Sequence, residues 1–264
     1  MKEPRIIVCA KQIPDPEAPL SDVSVDVEKK EVMVDAPQVI SPFDENALEA
    51  ALQIQEEIGG KITVLSMGRK VSDTVMRKTV AAGADSLILL DDPAFARLES
   101  RSVAHVLSQA IKKIGEYDLI LTGRQAGDWD SGQVGLILAE VLGIPAISLA
   151  RSIKVQDGSV VVEKIVPVGY EVVEAALPAL VTVSNEVGEL RYVARTKMMA
   201  LLRRPMSIPK WGTNQLDLSA EALHPVQLTE LCPPPDMRRE CVFIEGASPD
   251  DKAGKLAAVF KELR

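Results

Sequence analysis

Short, uninterrupted apolar runs alternate with helical patterns along the first two thirds of this 264-residue chain. Uninterrupted runs rich in β-branched residues and leucine are typical of strands that are buried on both faces, as in a parallel sheet. They occupy residues 5–11, 62–66, 87–90, 118–122 and 180–184. Patterns with the period of an amphipathic helix occupy residues 43–58, 72–82, 102–114 and 133–142. This alternation predicts an α/β fold with a doubly wound, mostly parallel sheet and helices on both faces.

Two segments interrupt the alternation with a period of two residues. Residues 22–39 alternate apolar and polar side chains on each side of a charged turn. Residues 152–162 and 168–174 show the same alternation, with a turn at 156–159. This period is typical of half-buried strands, so we expect both segments to form small β-hairpin additions.

The pattern changes again after Asn185. We therefore expect an α/β domain over residues 1–184 and an extended C-terminal arm over residues 185–264, which covers a partner more than its own core. Prolines at positions 205, 209, 225 and 233–235 interrupt the arm before a final helix predicted at 249–263. Residues 191–210 carry six basic and no acidic side chains. This stretch is either a solvated face or a surface that attracts an acidic partner.

Composition excludes several classes of function. The net charge of −8 argues against general nucleic-acid binding, which requires a basic surface. No apolar run approaches the roughly 18 residues of a membrane helix. Residues 1–13 lack the long apolar stretch of a signal peptide, so we expect a cytoplasmic protein. The three cysteines and two histidines match no disulfide framework, zinc spacing or nucleophile–base pair, so we expect neither a metal nor a catalytic residue.

The start of the helix at residue 43 is a first candidate site. Ser41 suits the N-cap, Pro42 suits the first helical position, and Asp44 lies where a capping box places its acidic residue. These residues indicate either a well-capped helix or a helix N-terminus that presents free N–H groups to a nucleotide phosphate.

The loop between the strand at 118–122 and the helix at 133–142 is a second candidate site. Its glycines permit close backbone approach and positive φ, and they stand at 123, 127, 132 and 135. The loop matches neither a Walker sequence nor the G-x-G-x-x-G dinucleotide motif. It is either a glycine-rich surface turn or a phosphate-binding loop that uses backbone amides. Asp128 and Asp130 are better suited to turns or ribose contacts than to a metal, and Cys9 suits a small buried position.

With these motifs the chain resembles the β subunit of electron-transfer flavoproteins, the EtfB/FixA family. The resemblance covers nearly the whole chain and depends on several motifs together. They are residues 9–15 (CAKQIPD), 41–51 (SPFDENALEAA), 122–135 (TGRQAGDWDSGQVG), 176–182 (ALPALVT) and the pair Arg191 and Tyr192.

The resemblance implies an electron-carrier subunit rather than an enzyme, although some members belong to NADH-dependent electron-bifurcating complexes. It implies a heterodimer with an α subunit that carries the redox FAD and packs against the arm. It also implies a nucleotide within this chain, either AMP or a second FAD. The expected nucleotide contacts are Cys9, Ser41, Pro42, Phe43, Asp44, Met67, Gly123, Arg124, Gln125, Asp128, Ser131, Gly132, Gln133 and Val134.

The family further implies transient partners, namely an acyl-CoA-type dehydrogenase and a membrane quinone oxidoreductase. The partner loop near Tyr192 departs from the family, since residues 193–196 lack its anchoring leucine. In the nucleotide loop, Arg124 and Val134 are closer to the bifurcating branch and favour a second FAD over AMP. Trp129 is a departure there, because an indole either stacks on a flavin or fills the space that a flavin needs. The alternative from another class is an adenine-nucleotide sensor of the α-hydrolase type.

Overall fold

The computed structural model describes residues 3–203, 206–218, 223, 229–233 and 241–262. The strands are β1 Arg5–Cys9, β2 Gln12–Pro14, β3 Val23–Asp26, β4 Glu31–Val34, β5 Gln38–Ile40, β6 Lys61–Gly68, β7 Ser86–Asp91, β8 Leu119–Gly123, β9 Ala146–Gln156, β10 Ser159–Ile165, β11 Tyr170–Ala176, β12 Ala179–Val183 and β13 Lys210–Trp211. The helices are α1 Pro42–Ile58, α2 Asp73–Ala82, α3 Ser100–Ile114, α4 Val134–Leu142, α5 Arg195–Arg203 and α6 Pro249–Glu262. Among these described helices, none combines the length and the apolar character that a membrane span needs.

A nine-stranded sheet organises the molecule, in the order β11-β10-β9-β12-β8-β1-β6-β7-β13. Strand β1 pairs in parallel with β6 on one side and with β8 on the other. The chain first extends the sheet from β1 through β6 to β7, and then returns to add β8 beyond β1. The order therefore reverses between β1 and β8, which defines the switch point of a doubly wound sheet.

Helices cover both faces of the sheet, as the sequence predicts. Alternate residues of β1 face opposite ways, with Ile6 and Val8 in the core under α1 and α2. Ile7 and Cys9 belong to the second core, under α3 and α4. Each face of a buried parallel strand needs apolar side chains, which explains the continuous apolar runs in the sequence.

The predicted hairpins are also present. Strands β3 and β4 pair antiparallel, and they form the first one. Strands β9, β10 and β11 form an antiparallel meander with its first turn at residues 157–158. The meander is larger than the predicted addition, because β9 also pairs in parallel with β12 and so joins the main sheet.

Part of the C-terminal arm packs on the α/β domain. Helix α5 lies against α2, and β13 pairs in parallel with the edge strand β7. Trp211 is partly buried against the second core, and the ammonium group of Lys113 lies 5.1 Å from its ring centre. A two-residue strand has no periodicity, so the sequence does not indicate this contact. The prolines at 205, 225, 234 and 235 lie outside the described residues.

Candidate functional site

The carboxyl ends of β1 and β8 lie side by side at the switch point, where Cys9 pairs with Thr122. The N-terminus of α1 and the loop that follows β8 meet at this edge, through contacts between Ser41 and Gly127 and between Asp44 and Gly123. Ligands of open α/β sheets bind in the crevice outside the carboxyl ends of the strands at such a point. The two segments that the sequence singles out are therefore brought together.

Asp44 connects the three segments of this edge. Its Oδ2 accepts a hydrogen bond from the Lys11 backbone N–H at 2.8 Å, and its Oδ1 accepts one from the Gly123 N–H at 3.0 Å. The side chain is buried, and burial raises the pKa of Asp44 to about 7, although both N–H groups favour the carboxylate. Asp44 therefore determines how the loops after β1 and β8 are placed relative to α1.

The predicted capping box at the start of α1 is wrong in its contacts. Pro42 does occupy the first turn, but the Ser41 side chain makes no capping hydrogen bond. Its Oγ instead accepts a hydrogen bond from the Gly127 N–H at 3.2 Å, and its backbone N–H donates to the Lys11 carbonyl. The reason is tertiary: the neighbouring loops supply N–H groups that compete with those of the helix itself.

Arg124 presents a cationic group at the same edge. Its guanidinium lies over the Phe43 ring, 4.6 Å from the ring centre, and its backbone N–H donates to the Val183 carbonyl. The Arg124 Nε is buried, and within the described part of the chain it has no hydrogen-bond partner. A buried N–H donor normally has a partner, so this group fits an anionic ligand such as a nucleotide phosphate.

The acidic residues of the loop both have partners within the protein. Asp128 pairs with the ammonium group of Lys11, and both of its oxygens lie within 2.8 Å of Nζ. Asp130 has φ 51°, and its Oδ1 accepts a hydrogen bond from Gln125 at 2.8 Å. Among the described residues no group of three or more metal-type ligands occurs.

Two glycines of the loop are required for different reasons. Gly132 has φ +62°, a left-handed conformation that side chains disfavour. Gly123 does not have a positive φ, but a Cβ there would lie 2.6 Å from Asp44 Oδ1 and 2.7 Å from the Phe43 carbonyl carbon. Gly123 therefore permits the close approach of β8 to α1, whereas Gly132 permits the shape of the loop.

The start of α4 completes this edge. Gln133 is its N-cap residue and Val134 its first residue, and Ser131 Oγ lies 3.4 Å from Ser100 Oγ. Gln133 is exposed and makes no capping bond with its side chain, so the first N–H groups of α4 have no such cap. Trp129 is 75% exposed and is not packed into the core.

Cys9 and Met67 lie at the ends of neighbouring strands. Cys9 is buried, and burial, with a smaller effect of Asp44, raises the pKa of its thiol to about 12. A thiol in this environment stays protonated and behaves as a small apolar side chain. Met67 is the penultimate residue of β6 and is partly buried against the second core.

Lys11 belongs to this site, although sequence analysis did not single it out. Its backbone N–H binds Asp44 and its ammonium group binds Asp128. Lys11 lies two residues beyond the end of β1, and β1 adjoins β8 at the switch point. This position in the sequence is the signal that indicates its role.

The basic stretch 191–210 is only partly available to a partner. Arg191 forms ion pairs with Glu49, at 2.9 Å, and with Glu56 of α1. Lys210 pairs with Asp73 at 2.8 Å. These contacts use two of the basic side chains to attach the arm to the α/β domain.

The fold and the site define a doubly wound α/β protein in which polar loops meet at the switch point of the sheet. Comparison with known proteins specifies the family, because residues 30–202 match the model of the electron transfer flavoprotein domain. The chain is 34% identical over 264 residues to the caffeyl-CoA reductase-Etf complex subunit CarD of Acetobacterium woodii, an alignment that covers 98% of each chain. It is 40% identical to the electron transfer flavoprotein subunit beta of Thermoanaerobacterium thermosaccharolyticum, over 71% of this chain and 70% of that one. It is 32% identical to protein FixA of Bradyrhizobium diazoefficiens, over 91% of this chain and 86% of that one.

The chain therefore belongs to the electron transfer flavoprotein β subunit (FixA) family, which confirms the resemblance seen in the sequence. Membership supports a role in electron transfer within a flavoprotein complex.

Proposed function

We propose that this chain is the β subunit of a heterodimeric electron-transfer flavoprotein, in which the α subunit carries the redox FAD. The heterodimer carries electrons between a dehydrogenase, or NADH, and an acceptor such as a quinone reductase. When bound, FAD supplies the electron-carrying chemistry, and the protein supplies its binding and orientation.

The observation that carries the proposal is the position of Arg124. Its Nε is buried and has no hydrogen-bond partner among the residues that the structure describes. It lies beside a loop in which Gly132 has a positive φ and which leads into the N-terminus of α4. Backbone N–H groups at a helix start and a guanidinium together bind phosphate groups. We assign the nucleotide contacts to the residues predicted from the sequence. Among them Asp44 accepts a hydrogen bond from Gly123 and Arg124 lies over Phe43, while Ser41 contacts Gly127 of the same loop.

The nucleotide in this chain is a second FAD rather than AMP in our proposal. Arg124 is able to form two parallel hydrogen bonds with a diphosphate, and Val134 offers an apolar surface where a hydroxyl residue would offer a donor. Trp129 is 75% exposed, so its indole is available to stack on a flavin. Two relatives are named as parts of CoA-thioester reductase systems, namely CarD and the acryloyl-CoA reductase electron transfer subunit gamma of Anaerotignum propionicum. These names support an acyl-CoA-type dehydrogenase as the transient partner.

The molar ratio of FAD to heterodimer tests this function. The complex should be yellow after purification with added FAD, with a ratio near two. An Arg124→Lys variant should retain one FAD and lose the second, because lysine keeps the charge but not the paired hydrogen bonds. Arg151→Lys is the matched control, since the Arg151 guanidinium also lies over an aromatic ring, 5.1 Å from the centre of Tyr170.

Acid extraction of the purified heterodimer identifies the second nucleotide. A ratio fixed at one with AMP in the extract would contradict the second FAD and leave a one-flavin carrier. A colourless complex with no nucleotide in the extract would contradict the proposed function itself.

A further inference from the structure

The side chain of Lys11 crosses the switch point from the loop after β1 to the loop after β8. Its Nζ lies 2.6 Å and 2.8 Å from the two carboxylate oxygens of Asp128. The Lys11 side chain is 40% exposed and that of Asp128 is 21% exposed. Exposed ion pairs of this kind add little to stability. A stronger anion is therefore able to replace Asp128 at small cost.

The backbone of Lys11 is held independently of its side chain. The Lys11 N–H donates to Asp44 Oδ2 at 2.8 Å, and the Lys11 carbonyl accepts from the Ser41 N–H at 2.8 Å. The Cα of Lys11 is therefore fixed by the same contacts that place α1 against β8. The flexible stem carries the ammonium group from this fixed point towards the loop at residues 124–133.

The charges at this edge call for a second cation beside Arg124. The Lys11 backbone N–H lies 2.8 Å from Asp44 Oδ2, and the Lys11 Nζ lies 2.6 Å from Asp128 Oδ2. The Asp128 carboxylate repels a phosphate group, and the Arg124 guanidinium lies over Phe43 on α1. The Lys11 ammonium group reaches the loop whose backbone amides we assign to the phosphates, where it contacts Asp128.

We propose that Lys11 is a phosphate ligand of the nucleotide site, and that Asp128 competes with the phosphate for its ammonium group. This inference rests on the proposed function, since it requires a nucleotide at the switch point. A phosphate has more charge and more acceptor oxygens than Asp128, and charge-assisted hydrogen bonds to it are short and strong. On binding, Lys11 exchanges the carboxylate for a phosphate oxygen and Asp128 turns to solvent.

A purely structural ion pair predicts a different result from a competing one. If the pair only orders the loop, then loss of either partner weakens the binding of every ligand. If Asp128 competes, then loss of its charge strengthens phosphate binding while loss of Lys11 weakens it. The two substitutions therefore change the affinity for phosphate in opposite directions only if Asp128 competes.

The experiment uses the full heterodimer after its nucleotide has been removed by dialysis against a chaotropic salt. AMP and adenosine are the probes, because AMP is also a moiety of FAD and adenosine lacks only the phosphate. Affinities are measured by calorimetry for wild type, Lys11→Met and Asp128→Asn. Lys29→Met is the matched control, since Lys29 pairs with Asp26 at 3.1 Å in the β3–β4 hairpin.

Lys11→Met should weaken the binding of AMP about tenfold and leave the affinity for adenosine unchanged. Methionine keeps the backbone contacts of Lys11 and removes only the charged donor. Asp128→Asn should strengthen AMP by about threefold, as expected for removal of one exposed competing charge. Equal losses for AMP and adenosine in Lys11→Met, unchanged AMP affinity in that variant, or weaker AMP binding in Asp128→Asn would each overturn the inference. A wild-type complex that binds neither probe would contradict the nucleotide site itself, and so the proposed function.

Discussion

Asp44 Oδ1 lies in the space that a side chain at Gly123 would occupy. It accepts the Gly123 N–H at 3.0 Å, and a Cβ on Gly123 would approach it to 2.6 Å. This hydrogen bond therefore requires glycine at position 123, and it joins the end of β8 to the start of α1. Because this contact lies at the switch point, it determines the position of the loop that we assign to the nucleotide.

We expect the stability of the protein to depend on pH through Asp44. Its pKa is raised from 3.8 to about 7 in the folded state, so between these values the folded state holds a proton that the unfolded state has released. The contribution of Asp44 to the free energy of unfolding therefore falls as the pH rises from about 4 to about 7. Urea unfolding of wild type and Asp44→Asn across this pH range tests this. The free energy of unfolding of wild type, relative to that of Asp44→Asn, should fall as the pH rises.

The exposed Asp35 provides the control for this experiment. Asp35→Asn should leave the shape of the pH curve unchanged. Parallel curves for wild type and Asp44→Asn would show that the burial of Asp44 does not control the protonation of this contact.

Gly132→Val should remove the nucleotide without unfolding the domain. The left-handed conformation costs a residue with a side chain about 1–2 kcal/mol. The loop of the variant relieves this strain by changing its conformation, which moves its amides away from the ligand. We expect affinity to fall by at least about tenfold, since 1.4 kcal/mol corresponds to that factor. Gly158→Val imposes similar strain at φ +84° with no neighbour within 4 Å, and should leave nucleotide content unchanged. Full occupancy in Gly132→Val would refute the assignment of this loop.

Removal of Arg191 should destabilise the protein and alter its acid sensitivity. Burial opposes the ionisation of Glu49, but its hydrogen bonds to Arg191 prevail and lower its pKa. Arg191→Ala leaves this buried carboxylate without its cation, and we expect a loss of about 2 kcal/mol in the free energy of unfolding at pH 7.

The loss in Arg191→Ala should shrink as the pH falls below 4.5, the ordinary pKa of a glutamate, because a depressed pKa stabilises only the ionised form. Glu56→Ala, which removes the exposed partner, should have a much smaller effect. Equal losses in the two variants would mean that the buried carboxylate is not the cause.

Helix α6 should be part of the interface with the α subunit. All of its described residues are exposed, and Leu256, Val259 and Phe260 share one face of the helix, with Phe260 62% exposed. Exposed apolar faces of this kind mark interaction sites. Phe260→Asp should abolish co-purification with the α subunit, and Ala258→Asp on the opposite face should not.

Expressed alone, the chain should self-associate through the same surface. Size-exclusion chromatography of the isolated chain distinguishes a self-associated species from a monomer. A stable monomer would argue against an apolar interface on α6.

The amino-acid sequence is sufficient to predict the five buried parallel strands and the class of the fold. Five apolar runs became β1, β6, β7, β8 and β12, because a strand between two helical layers must be apolar on both faces. Pro42 marked the start of α1, because it fixes φ and needs no hydrogen bond at the first turn. The glycine-rich loop at 122–135 is likewise recognisable from its residue types alone.

Only the tertiary structure decided which partners the polar groups take. Asp44 binds the amides of Lys11 and Gly123 instead of capping its own helix, and Arg191 pairs with glutamates of α1 instead of facing solvent. The partners of Asp44 and Arg191 lie far from them along the chain and become neighbours only when the strands and helices pack together. A side chain with several possible partners binds the ones that packing brings within hydrogen-bond distance, and a local pattern contains no information about that distance.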